Sequence, residues 1–74
     1  MGDQVLVDMD QKHARGLATG VVRYVGNVNF ASGYWIGVEL DGPRGSHDGS
    51  VCGTRYFNCK ANHGIFAVPS RITK

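Results

Sequence analysis

Eleven of the 74 residues are glycine, and they fall singly between short apolar runs with no fixed interval. The spacing excludes a collagen-like period. No stretch carries apolar residues at helical spacing through three turns. What remains is a set of short strands joined by tight turns, the pattern of an all-β domain. With 42% hydrophobic and 19% charged residues, the chain has the balance of a folded protein. Its length suits a single small domain spanning residues 1–74, read as a part excised from a longer protein. Such a domain has little room for a catalytic cleft, so the expectation is a binding module and not an enzyme.

Period-two alternation and turn signals divide the chain into strands at 4–9, 17–25, 34–40, 50–57 and 65–68, with Arg71-Ile72 adding a further rung. Gly20 is read as a bulge in the second strand. Loops are expected at Asp10–Gly16, Gly26–Gly33 and Arg44–Gly49, with a turn at His63-Gly64. The result is an all-β antiparallel meander curled into a small, open barrel.

Two features exceed what such a barrel needs. In YWIGVEL, alternation puts Tyr34, Ile36, Val38 and Leu40 on the core face. Trp35 then shares the opposite face with Gly37 and Glu39. There it either covers a loop or forms an aromatic floor for a ligand, with the glycine leaving room above it. Phe30 and Phe66 are available to join it. The second feature is the loop GSHDG, where Gly45 and Gly49 bracket Ser46, His47 and Asp48. It reads either as a plain hairpin turn or as a bend whose backbone N–H groups and side-chain donors receive a carboxylate.

The stretch GVVRYVG…F…GYWIGVELD…GSHDGSV.G.RYF.C…HGIFAVPSR resembles the CAP-Gly (cytoskeleton-associated protein, glycine-rich) family over nearly the whole chain. The resemblance implies a curled SH3-like barrel that binds acidic C-terminal tails ending Glu-Glu-Tyr or Glu-Glu-Phe. Such tails occur on α-tubulin and on end-binding proteins of microtubules. Carried over, the aromatic pocket falls on Phe30, Trp35 and Phe66, and the signature loop on Gly45, Ser46, His47, Asp48 and Gly49. Ser46 and His47 replace the family's usual lysine and asparagine, and Val68 stands where several relatives carry arginine.

The ligand's terminal ring is accordingly expected against Trp35, Phe30 and Phe66. Its carboxylate is expected on the loop backbone and on the Ser46 or His47 side chains, with His47 as a possible cation. Arg44, Arg71 and Lys60 would attract upstream glutamates, while Asp48 braces the loop. The same fold could instead take a proline-rich or zinc-knuckle segment. An RNA-binding barrel is the other class considered, but a formal charge of +2 without basic clustering does not favour it. No cofactor is expected. His47, Cys52, Cys59 and His63 follow one another in zinc-like order, yet Cys52 is read within a strand and both cysteines as buried, so no metal is expected. With two cysteines, no apolar run long enough to span a membrane and no basic-apolar leader, a reducing cytoplasm is the expected setting, and the resemblance implies a place there at the cytoskeleton.

Overall fold

In β-branched and alternating segments the backbone extends, and neighbouring strands then satisfy its polar groups. The computed structural model describes residues 2–8 and 17–73. Seven strands appear among them: β1 (Gln4–Asp8), β2 (Leu17–Asn27), β3 (Tyr34–Leu40), β4 (Ser50–Val51), β5 (Thr54–Arg55), β6 (Gly64–Ala67) and β7 (Ile72–Thr73). Five form one antiparallel sheet in the order β6-β3-β2-β1-β7, and β4-β5 form a separate hairpin. The sheet is curled and not closed, in agreement with the expected open barrel. Met9, which was expected to end the first strand, and the Asp10–Gly16 loop lie outside the described residues.

One face of the curl holds an aliphatic core of Val5, Val7, Ala18, Val22, Val38, Leu40, Ile65 and Ala67, with Ile36 and Ile72 packed against it. Register explains the grouping, because Val22 pairs with Val38 and Val38 with Ile65 across three strands. Tyr34 does not join them. It is 62% exposed, since β3 runs past the end of the core and pairs there with Asn27 near the loop.

The expected strand at 50–57 is instead a hairpin followed by irregular chain. Cys52 and Gly53 both take positive φ, 50° and 83°, giving the two-residue turn that reverses β4 into β5. Cys52 is therefore exposed at a hairpin tip, and Cys59 is only partly buried. Gly20 is not the bulge; the register shifts between Val22 and Tyr24. Gly20 is needed for close approach, as a Cβ there would stand 2.6 Å from the Val38 side chain and 2.7 Å from the Glu39 carbonyl. β2 runs on to Asn27, shortening the expected loop. The turn before β6 is made by Ala61-Asn62, with Asn62 at φ 64°, and Gly64 already belongs to the strand. Val68 caps a short 3-10 turn at Pro69–Arg71, after which Ile72 pairs with Val7.

Candidate functional site

A second apolar cluster, entirely different in composition, lies across the sheet from the aliphatic core. Tyr24, Gly37 and Phe66 face each other on one rung of β2, β3 and β6. Because Gly37 has no side chain, aromatic rings from loops settle over it. Phe57 packs directly on Gly37, where an added Cβ would stand 2.5 Å from its ring. The space expected to be open for a ligand is thus filled from within. Phe66 is the hub, with ring centroids 5.3 Å from Phe30, 5.2 Å from Tyr56, 5.7 Å from Phe57 and 5.9 Å from Tyr24. Phe30 in turn lies 5.8 Å from Trp35. These separations and the mostly edge-to-face tilts suit mutually attracting rings.

Phe30, Trp35 and Phe66 therefore do come together. Trp35 is half-buried, and its indole N–H donates to the Ser32 carbonyl at 3.1 Å, which fixes the ring's edge and leaves a face beside a cavity. That cavity, about 210 Å³, is bounded by Trp35, Phe66, Ala67, Val68 and Arg71. A neighbouring one of about 290 Å³ shares Phe66, Ala67 and Arg71 and extends past Phe30, Ser46, His47 and Val51 to Val7 and Asp8. Together they form one groove with aromatic walls, one cation and one carboxylate.

The GSHDG loop borders this groove, but most of its donors are already engaged. Gly45 N–H donates to the Asn62 carbonyl at 2.7 Å, and Ser46 and His47 N–H both donate to the Gly64 carbonyl. Gly49 N–H donates to His47 Nδ1 at 3.0 Å. Among the described residues, the Asp48 N–H and the exposed Ser46 hydroxyl keep no internal partner. Gly45 is needed for tight packing on the Gly64 backbone, whereas Gly49 takes the positive φ, 103°, that the loop requires.

His47 is not poised as a cation. With Nδ1 accepting from Gly49, the ring's proton sits on Nε2, which is buried without a partner among the described residues. Burial pushes the imidazole below its ordinary range, outweighing the opposing pull of the Asp48 carboxylate. The ring instead extends the aromatic cluster, 5.5 Å from Phe66 and 5.9 Å from Phe57. Asp48 does brace the loop. Its Oδ1 accepts from the Ser50 N–H and hydroxyl, and these bonds, helped by Arg55, hold its carboxyl below the usual range.

Arg44 and Lys60 lie elsewhere. The Arg44 guanidinium donates to the Leu17 carbonyl at 3.0 Å, and Lys60 borders a separate hollow with Arg23, Glu39 and His63. Arg71 is the expected cation that does line the groove. No three metal-ligating side chains gather among the described residues. Cys59, whose thiol burial pushes up, contacts the His47 and Lys60 carbonyls.

Sequence reasoning missed four residues. Tyr56 completes the aromatic wall, and its hydroxyl accepts from the Asn29 N–H at 2.8 Å, tying the Phe30 loop in place. Arg55 donates to the Asp48 and Phe57 carbonyls and to Asn58. Asp8 puts a carboxylate on the groove, and Tyr24 supports Phe66. The adjacent aromatics in RYF were a usable signal for Tyr56, but reading 50–57 as one strand hid it.

Comparison with known proteins shows the family and the fold. Residues 1–72 match the profile of the CAP-Gly domain family. The chain is 53% identical over all 74 residues to CAP-Gly domain-containing linker protein 3 of Homo sapiens, while spanning only 12% of that relative's length. It superposes with TM-score 0.82 and 44% identity on the CAP-Gly domain of human kinesin-like protein KIF13B, covering 99% of this chain and 66% of that one. With Bik1 CAP-Gly bound to an ETF peptide from Bim1, the TM-score is 0.69 at 26% identity, over 90% of this chain and 76% of the other.

Proposed function

This chain belongs to the CAP-Gly family, and from that membership we propose that it captures acidic C-terminal tails ending in an aromatic residue, those of α-tubulin and of end-binding proteins, at microtubules in the cytoplasm. Within a longer parent it would act as one binding unit. The family is one of binding domains, and the proposal assigns no catalysis.

The observation that carries the reading is the continuous groove in which Trp35, Phe30 and Phe66 meet Arg71 and the Ser46 hydroxyl. An aromatic C-terminal side chain would insert beside the indole, where rings on several sides and exclusion of water favour an anchor. Its carboxylate would take the exposed Ser46 hydroxyl and the Asp48 N–H, two donors the loop does not use itself. Arg71 supplies attraction for glutamates upstream. The Bik1 domain, similar in fold, is described with a peptide bound, which supports the class of ligand. A groove with a single lining arginine and an opposing Asp8 should bind modestly and with marked salt dependence, so tight attachment would require several copies.

Calorimetric titration of an acidic peptide ending Glu-Glu-Tyr, against the same peptide lacking its tyrosine, tests the reading. The full peptide should bind at least tenfold more tightly. Equal affinities would contradict it.

A further inference from the structure

The larger cavity has an unusual lining. Ile65 and Ala67 point to the aliphatic core and Phe66 to the aromatic face, yet all three border it. Residues of both faces of a strand share one cavity only along that strand's edge, because successive side chains alternate. β6 is the edge strand of the sheet. Val7 and Asp8 line the same cavity at the end of β1, where β7, which pairs with Leu6 and Val7, no longer covers it, so the cavity lies between the β6 edge and that uncovered end on the open side of the curl.

Hydrogen bonding along this edge is half complete. The His63 carbonyl accepts from Leu40 of β3, whereas Gly64 turns the other way, its N–H donating to the His47 carbonyl and its carbonyl receiving the Ser46 and His47 N–H groups. By alternation Ile65 and Ala67 turn their backbone groups to β3, and Phe66 turns its N–H and C=O outward, into the cavity. No strand or loop among the described residues bonds to them there. An unpaired N–H and C=O beside an apolar anchor site are the two halves of a strand-addition site.

Resting on the tail-binding reading above, the geometry points to β-strand addition: the acidic tail lies extended along β6 and exchanges backbone hydrogen bonds with Phe66, continuing the rung that His47 makes with Gly64. The occupant is the tail itself. Arg71 lining the cavity favours an anionic chain, and the aromatic wall beside Phe66 receives the terminal ring. Phe66 thus acts twice, with its ring in the pocket and its backbone on the ligand.

The test is a set of Glu-Glu-Tyr-ending peptides, each N-methylated at one backbone amide, titrated against the intact chain. One amide donates to the Phe66 carbonyl, and its methylation should weaken binding at least tenfold. The amides on either side point away from β6, and their methylation should change affinity by less than threefold. In parallel, the Phe66 amide proton should exchange with solvent at least tenfold more slowly when the unmodified peptide saturates the domain. If that peptide binds while the N-methyl series is flat or lacks the single sensitive position, or Phe66 exchange is unchanged, strand addition is overturned and tail capture stands. If it does not bind, both are overturned.

Discussion

At the scale of single residues, His47 decides how the site responds to pH. Its folded pKa is depressed by burial, so the folded chain binds fewer protons than the unfolded one near pH 6.5. The stability it contributes is complete above that value and is lost as pH falls toward the folded pKa. Protonation would also convert Nδ1 from acceptor to donor opposite the Gly49 N–H. The loop should therefore loosen, and tail affinity decline, between pH 7 and 5.5, the reverse of what a cationic ligand for the carboxylate would give. Thermal denaturation and titrations across that range check this, with His47→Gln expected to flatten the profile. Charge at the rim offers a second test. Ser46→Lys adds a cation and Asp8→Asn removes an anion from the groove, and each should tighten binding of an acidic tail by about 0.2–1 kcal/mol at low salt, less at high salt. Trp35→Ala should cost binding about 2 kcal/mol or more, as loss of an anchor, with the indole's partial exposure limiting the loss of stability.

Elements show where period-two reasoning succeeds and where it stops. β1 and β3 were legible because alternation over five or more residues fixes which face is buried, and Val5, Val7, Val38 and Leu40 are core as that pattern requires, while β2 was legible from its β-branched and aromatic composition. Segment 50–57 was not, because its β-branched and aromatic composition suits a strand, while the turn rests on Cys52 taking an uncommon positive φ. Trp35 was legible from the bare Gly37 beside it, and the family resemblance joined Phe30 and Phe66 to it, but what covers that glycine, Phe57, arrives from a distant segment that no local pattern links to it. The two glycines at these contacts separate the loop from the sheet. Gly37→Ala pushes on the movable Phe57 and Phe66 rings and should destabilise by about 1–3 kcal/mol. Gly49→Ala meets the Phe57 backbone carbonyl and keeps φ 103°, so it should cost about 2–4 kcal/mol and disrupt the Asp48 brace as well. Chemical denaturation of both variants measures the order.

For the molecule as a whole, function follows from a sheet that curls without closing. One face holds an aliphatic core, the other carries aromatic rings from strands and loops, and the open side of the curl, along the β6 edge, lies where the two meet. A closed barrel would have neither the free edge nor the groove. The GSHDG loop is tied to β6 through Gly64 and to the aromatic cluster through His47, so indole and loop should sense a ligand together. Following the Trp35 indole N–H and the Ser46, His47 and Asp48 amides by NMR, as a Glu-Glu-Tyr-ending peptide is added, tests this most directly. The account predicts that all four shift with one common dissociation constant and that removing the peptide's terminal tyrosine abolishes the joint response. An unmoved indole, or shifts that persist undiminished without the tyrosine, would contradict it.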